Sequence, residues 1–160
     1  YNRQYSTQYV SSMPTNLYGP NDNYDLNTSH VLPALIRKTH EAKLRGDKQL
    51  VVWGSGKPMR EFLYVDDAAD AHIFLMENQL TEELFNIGTG MEVTIEKLAE
   101  FVITAVGFQG EIVFDSSKPD GTPRKLLSVE RMRQFGWKAQ TKLQDGIEKA
   151  YKDFLEHQEN

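Results

Sequence analysis

The chain has 160 residues, of which 39% are hydrophobic and 26% charged, and this composition excludes a wholly disordered protein. The sequence shows no apolar run of membrane-spanning length and no signal-peptide pattern, so we expect a cytoplasmic protein with no membrane partner. A net charge of -5 without a run of Lys or Arg argues against nucleic-acid binding, and zero cysteines exclude disulfides and Cys-bound zinc within these residues. The polar start without an initiator Met predicts the later part of a longer protein.

The first half of the chain predicts strands that alternate with helices. A strand over 9–13 stops at Pro14, and a polar loop leads to a helix over 30–45, which Ser29 caps and Gly46 terminates. The elements that follow are strands over 50–53 and 62–65 and a helix from Asp66, its N-cap, to about Asn78. Apolar residues nearly surround this last helix, so we expect it to be buried on all sides.

The second half continues the alternation. It predicts a strand over 84–87, a helix from Ile95 that stops at Gly107, a strand over 111–114, a short helix over 129–135 and a closing helix over 143–155. Thr141 and Gln144 have the spacing of a capping box for the closing helix. Alternating strands and helices, with no internal repeat or linker, predict an α/β architecture.

Several catalytic motifs do not occur in the sequence. The Gly-x-Gly sequences at 54–56 and 88–90 lack the third glycine of a dinucleotide-binding fingerprint, and the four histidines are not spaced as zinc ligands. There is no Gly-x-Ser-x-Gly elbow and no Walker loop. We therefore predict no metal site and no self-contained catalytic centre of these kinds.

Three polar loops, punctuated by Gly and Pro, follow predicted strands. They cover residues 13–20, 53–62 and 118–125. Open α/β sheets bind ligands beyond the carboxyl ends of their strands, so these loops form the candidate site.

The same loops carry sequences that resemble a known family. Pro-Thr-Asn-Leu-Tyr-Gly-Pro at 14–20 and Val-Asp-Asp at 65–67 are similar to the extended short-chain dehydrogenase/reductase family of nucleotide-sugar enzymes. More specifically, Trp-Gly-Ser-Gly-Lys-Pro-Met-Arg-Glu-Phe at 53–62 and Lys-Pro-Asp-Gly-Thr-Pro-Arg-Lys at 118–125 resemble the GDP-L-fucose synthase branch of that family. The resemblance covers nearly the whole chain.

This resemblance implies the C-terminal part of a Rossmann-type α/β enzyme. Residues 1–28 would end the nucleotide-cofactor domain, residues 29–160 would form mainly the smaller substrate-binding domain, and the part around 62–78 would pack back on the Rossmann sheet. The family carries its Gly-rich NADP loop, catalytic Ser, Tyr-x-x-x-Lys pair and epimerising Cys in the N-terminal portion. Here none of the seven tyrosines is followed by Lys four residues later, so we expect the chain alone not to catalyse hydride transfer.

The implied function is that of an NADP-dependent epimerase/reductase. Enzymes of this branch convert GDP-4-keto-6-deoxy-D-mannose to GDP-L-fucose by inverting two carbons and reducing the keto group with NADPH. The implied partners are NADP(H), a GDP-sugar, the missing N-terminal Rossmann portion and, at full length, a second copy in a homodimer. Two alternatives stay open: another nucleotide-sugar epimerase or dehydratase, and a non-catalytic sugar-nucleotide binding module.

On the cofactor side, the resemblance implies roles for five residues. Pro14, Thr15, Asn16 and Leu17 would lie against the nicotinamide end of NADP. His30 would lie near the nicotinamide and act as the acid in epimerisation, a role that suits an imidazole because its pKa is close to working pH. The residues alone favour a simpler interpretation, in which the first four form a turn and His30 begins a helix.

On the substrate side, the implied binding residues are Lys38, Trp53, Arg60, Asp120 and Lys125. Lys38 stands where the family often has Arg. This difference keeps the charge but loses the planar guanidinium, so a single contact with phosphate would replace a bidentate one.

The residues alone also allow ordinary structural interpretations of these positions. Trp53 could be a core residue, and Arg60 could form a surface ion pair with its neighbour Glu61. Asp120 in Pro-Asp-Gly-Thr fits a turn, and Lys125 fits a solvated basic turn. Only the three-dimensional arrangement separates the two interpretations of each position.

Overall fold

Helices separate groups of strands along the chain, in the predicted α/β arrangement, in a computed structural model that describes residues 1–78, 80 and 84–158. The helices are α1 (Asn2–Tyr5), α2 (Val31–Arg45), α3 (Val65–Glu77), α4 (Ile95–Val106), α5 (Glu130–Gln134) and α6 (Leu143–Gln158). The strands are β1 (Ser11–Pro14), β2 (Asn16–Tyr18), β3 (Gln49–Trp53), β4 (Met59–Tyr64), β5 (Leu84–Ile87), β6 (Glu92–Thr94), β7 (Glu111–Asp115) and β8 (Arg124–Lys125). Among these residues, no helix is both long enough and apolar enough to cross a membrane.

Parallel pairing dominates the sheets of the described residues. β1 pairs with β5 and β3 pairs with β7, both in parallel. β4 is a central strand: β2 and β8 pair with it in parallel, and β6 pairs with it in antiparallel. Parallel strands need long crossover connections, which explains why strands and helices alternate in this sequence.

The apolar residues form two separate cores. The larger one packs α2, α4 and α6 against β3 and β4, and it includes Leu35, Ile36, Leu98, Val102, Ile147 and Phe154. The smaller one packs α3 and α5 against β4 and β5, and it includes Leu63, Ala71, Leu75, Phe85, Ile87, Met132 and Trp137. β4 contributes to both cores and therefore joins them.

The helix ends were predicted with mixed success. Gly46 terminates α2 in a left-handed conformation, as predicted, and its N–H donates to the Ala42 and Lys43 carbonyls. The prediction of Ser29 as N-cap was wrong, because α2 begins one residue later and His30 occupies that position. The prediction of Asp66 as N-cap was also wrong, since α3 begins at Val65 and places Asp66 in its first turn.

The closing helix α6 begins without the predicted capping box. The Gln144 amide donates to the Phe101 carbonyl at 3.5 Å and to Glu148 at 3.2 Å. The backbone N–H of Thr141 donates to Asp67 Oδ2 at 2.9 Å. Tertiary contacts with α3 and α4 therefore hold the start of α6.

The prediction that α3 is buried on all sides was wrong. Ala68, Ala71 and Leu75 face the smaller core, whereas the side chains of Ile73 and Met76 are 54% and 78% exposed. The sequence pattern does not separate these two faces because both are apolar. One face of α3 thus presents an apolar surface to solvent in the described chain.

Three short strands were not predicted. β2 and β6 have three residues each, and β8 has two. Runs this short carry no readable alternation of polar and apolar residues, so only their pairing with β4 defines them.

Acidification is expected to weaken the contact between α2 and α6 through His40. Its Nδ1 lies 3.0 Å from the Tyr151 hydroxyl, and its ring packs edge-on against Phe154. Burial lowers the pKa of His40, and Lys43 lowers it further, while Glu41 opposes the shift. Because the folded state binds this proton less readily than the unfolded one, stability is fully present above about pH 6.5 and falls as the pH drops through the folded pKa.

Urea unfolding at about pH 7.5 and about pH 5.5 measures this effect. The substitution His40→Gln removes the titrating group, so the variant should lose less stability between the two pH values than the unmodified chain. An equal loss in both proteins would show that His40 does not contribute to the pH dependence.

Candidate functional site

The predicted cofactor-side residues run from the end of β1, which pairs with β5, into β2, which pairs with β4. The Thr15 backbone N–H donates to the Ile87 carbonyl at 2.9 Å, which ties the end of β1 to β5. The Thr15 hydroxyl and the Asn16 amide both donate to the backbone carbonyl of Glu61, at 3.3 and 2.7 Å. These polar side chains are therefore fixed to β4, while Pro14 remains exposed.

A cavity of about 370 Å³ brings the predicted cofactor and substrate sides together. One wall is Met13–Asn16, and the other is Lys125–Leu127. Of the predicted residues, Pro14, Thr15, Asn16 and Lys125 line this cavity. Leu17 belongs to β2, is 38% exposed and does not line it.

Arg60 and Lys125 are neighbours across the β4–β8 pair. The guanidinium of Arg60 donates to the Met59 carbonyl at 2.8 Å and is partly buried. The interpretation of Arg60 and Glu61 as a surface ion pair was wrong, since within the described chain no salt bridge joins them and Glu61 is completely buried. Pairing with β8 thus sets Arg60 at the strand position next to Lys125, and Lys125 lines the cavity.

The carboxylate of Glu61 connects two loops through hydrogen bonds. It accepts the backbone N–H of Gly90 at 2.7 Å on one oxygen and that of Leu127 at 3.1 Å on the other. The Thr89 hydroxyl donates to it at 3.4 Å. Sequence reasoning missed this role, because the sequence places Glu61 in a polar loop just before the predicted strand over 62–65.

Asp120 holds two of the predicted loops together. Its Oδ1 accepts the Ser55 backbone N–H at 2.6 Å, and its Oδ2 accepts the Ser55 hydroxyl at 2.8 Å. These hydrogen bonds lower the pKa of the Asp120 carboxyl. Gly54 is required at the junction, because its φ is +83° and a Cβ there would lie 2.4 Å from Asp120 Oδ1.

Trp53 lies close to two lysines on the surface. It is 57% exposed, so its interpretation as a core residue was wrong. The ammonium of Lys38 lies 4.2 Å from the ring centroid, and that of Lys118 lies 5.4 Å from it. Lys118 was not among the predicted site residues, although it belongs to the third loop.

Lys38 and Trp53 line a second cavity, of about 290 Å³, beside α2. Burial lowers the pKa of Lys38. The nearest carboxylate along the helix, Glu41, is already paired with Arg37 at 2.7 Å and Arg45 at 3.7 Å. Lys38 therefore has no carboxylate partner among the described residues, an arrangement suited to an anionic ligand.

His30 is exposed at the start of α2 and lines neither of these two cavities, as far as the described residues define them. Its backbone carbonyl accepts the Ala34 N–H at 3.0 Å, and its ring forms no hydrogen bond within the described chain. Burial raises the pKa of Asp22, and the nearby His30 opposes that shift. The structure therefore does not bring His30 to the residues around Lys125.

Asp66 and Asp67 lie in different environments. Asp67 is buried and bonds Thr141, whereas Asp66 is exposed. Within the described ranges, no group of three Asp, Glu or His side chains is arranged to hold a metal ion.

This arrangement of parallel strands, with polar loops at their carboxyl ends, matches a known family. Residues 1–88 match the model of the NAD dependent epimerase/dehydratase family. The chain belongs to this family, and its predicted α/β fold class is thereby confirmed.

The relatives within the family are more specific. The chain is 54% identical over 155 residues to a GDP-L-fucose synthase of Sinorhizobium fredii, covering 97% of this chain and 49% of that protein. It is 51% identical over 170 residues to the GDP-L-fucose synthase of Escherichia coli, covering 99% and 52% of the two chains. A crystal structure of a GDP-L-fucose synthetase from Naegleria fowleri bound to NADP superposes with a TM-score of 0.86 at 36% identity, covering 94% of this chain and 48% of that one. The chain thus spans about half the length of the relatives it matches.

Proposed function

We propose that this chain is the substrate-binding part of an enzyme that converts GDP-4-keto-6-deoxy-D-mannose to GDP-L-fucose, by epimerisation at two carbons and NADPH-dependent reduction of the keto group. The observation that carries the proposal is the cavity that Pro14, Thr15, Asn16 and Lys125 line together, with Arg60 at the strand position next to Lys125. The names of the relatives at 51% and 54% identity support the same function.

The cations of the site suit the diphosphate of a GDP-sugar. Arg60 offers a planar guanidinium for bidentate contact, and Lys125 next to it adds a second charge. Lys38 lines the second cavity and adds a third cation there, with no carboxylate partner among the described residues. The exposed ring of Trp53 offers a face for stacking, and Asp120 accepts hydrogen bonds from sugar hydroxyls or guanine N–H groups while it holds Ser55.

The cofactor of the proposed enzyme is NADP(H), and the stretch from Pro14 to Leu17 fits its nicotinamide end. Thr15 and Asn16 direct their side chains to the Glu61 carbonyl. This leaves the backbone and the small ring of Pro14 to line the cavity, with no large side chain in the way. When bound, NADPH supplies the hydride for reduction. His30, whose ring has no hydrogen-bond partner in the described chain, supplies a proton during epimerisation.

The domain organisation and the partners belong to the same proposal. Residues 1–28 end the cofactor domain, and 29–160 form mainly the substrate-binding domain, with 62–78 packing on the Rossmann sheet. The exposed side chains of Ile73 and Met76 on α3 support a covering N-terminal portion. The full-length enzyme is a homodimer, and the chain alone does not catalyse hydride transfer.

Calorimetric titration of the chain with GDP-mannose, GDP-fucose, UDP-glucose and NADPH tests the substrate assignment. We expect the two GDP-sugars to bind in preference to UDP-glucose. The substitution Arg60→Ala should weaken GDP-sugar binding about tenfold or more, because it removes a charged hydrogen-bond donor from the phosphate site.

Arg3→Ala is the matched control, since it removes an exposed arginine of α1 that lines neither of the two cavities described above. It should leave binding unchanged. Equal affinity for UDP-glucose would favour another nucleotide-sugar epimerase. Absence of binding by a folded sample would contradict a preformed substrate site in this chain.

A further inference from the structure

The two walls of the larger cavity are bonded to a single residue, Glu61. Its backbone carbonyl accepts Thr15 and Asn16, which line one wall. Its carboxylate accepts the backbone N–H of Leu127, which lines the opposite wall next to Lys125. Glu61 is therefore hydrogen-bonded to both walls, although it does not itself line the cavity.

The burial of Glu61 makes these bonds obligatory. The residue is 0% exposed, and no cation pairs with its carboxylate among the described residues. A buried carboxylate without donors is strongly unfavourable, so the backbone N–H groups of Gly90 and Leu127 must stay in place to satisfy it.

Gly88 lies close against the carboxylate of Glu61. A Cβ at Gly88 would lie 2.3 Å from Glu61 Oε1 and 2.9 Å from its Cδ. This close approach leaves the carboxylate almost no freedom to shift towards the loop of residues 88–90. The position of the bonded Leu127 N–H is therefore narrowly defined.

We propose that Glu61 is a positioning residue that sets the separation of the two walls and thereby holds Lys125 opposite Thr15 and Asn16. The inference rests on the proposed function, because it assigns this spacing to the binding of a sugar nucleotide. Glu61 touches no ligand and acts through the backbone of Leu127. Loss of its carboxylate should shift Lys125 relative to Thr15 and Asn16 on the opposite wall.

The substitution Glu61→Gln tests this role with two readouts. The amide places an NH₂ group against a backbone N–H donor, so one of the two bonds is lost. We expect amide hydrogen exchange at Leu127 or Gly90 to become about tenfold faster or more, and NMR shifts to change in both walls. Affinity for GDP-mannose, measured by calorimetry, should fall about tenfold.

Asp67→Ala is the matched control, because Asp67 is also a buried carboxylate that accepts a backbone N–H, which alanine cannot do, but lies outside the cavity lining. It should lower the melting temperature while leaving GDP-mannose affinity unchanged. Equal losses of affinity in both variants would overturn the positioning role in favour of a general effect of stability.

The inference and the proposed function fail in different ways. If the unmodified chain does not bind GDP-mannose, the proposed function fails, but the exchange and NMR readouts still test Glu61. If Glu61→Gln leaves the Leu127 and Gly90 amides and the resonances of residues 14–16 unchanged, the inference is overturned whatever the chain binds.

Discussion

Replacing Gly88 with alanine is expected to lower the free energy of unfolding by about 3 kcal/mol. The new Cβ would lie 2.3 Å from Glu61 Oε1, and this side chain is completely buried and hydrogen-bonded to Gly90 and Leu127. It cannot move aside without breaking bonds to a buried charge. Thermal unfolding should show a melting temperature about 6–12 °C lower for a chain of this size.

Two further variants separate this clash from the general effect of a glycine substitution. Gly136 has a φ of +96°, and beyond its chain neighbours no described atom lies within 4 Å of the place a Cβ would take. Gly136→Ala should therefore lose only about 1 kcal/mol through backbone strain. In a Glu61→Ala background, Gly88→Ala should lose much less than it does alone. Equal losses in both backgrounds would rule out the contact with Glu61 as the cause.

Replacing Gly146 with alanine is expected to destabilise the protein by about 2 kcal/mol, although alanine usually stabilises a helix relative to glycine. Gly146 lies in α6, where alanine alone would add about 1 kcal/mol of stability. However, its Cβ would lie 2.1 Å from the hydroxyl of Tyr18, which is 2% exposed and donates to the Leu143 carbonyl. Overpacking of this kind costs about 3 kcal/mol, which outweighs the gain.

Urea unfolding of Gly146→Ala, Tyr18→Phe and the double variant measures the contact between these two residues. Loss of the hydroxyl removes the nearest atom, but the ring carbon at 2.9 Å remains. The substitution at Gly146 should therefore cost less in the Tyr18→Phe background, without becoming neutral. A more stable Gly146→Ala chain would contradict the predicted clash.

Glu61 shows why part of the candidate site could not be predicted. The motif places it next to Arg60 in a polar loop, where a surface ion pair is the ordinary interpretation. Its donors come from Gly90 and Leu127, which are 29 and 66 residues further along the chain. No local pattern contains that information, because burial at this position depends on loops that meet only in the folded protein.

The motifs predicted which loops matter, but not how they divide into cavities. Pro14, Thr15 and Asn16 share one cavity with Lys125, whereas Lys38 and Trp53 line another. Both the cofactor-side and the substrate-side groups are thus partly assembled in this chain. Their roles in binding remain predictions, which titration with GDP-sugars and NADPH tests.

The amino-acid sequence by itself determined the features that depend on near neighbours. Apolar periodicity located α4, and Gly46 marked the end of α2, because helix formation and termination are set within a few residues. Polar Gly- and Pro-containing loops marked the candidate site for the same local reason. The family motifs in these loops were also continuous in the sequence.

Only the tertiary structure decided which face of α3 is covered, that β8 pairs with β4, and that Glu61 is buried. Each of these features depends on contacts between segments that lie far apart in the sequence. A two-residue strand and a single buried carboxylate gain their free energy from partners that fold against them, since neither is stable from its local sequence. The walls of the cavity therefore take their spacing from long-range hydrogen bonds to Glu61.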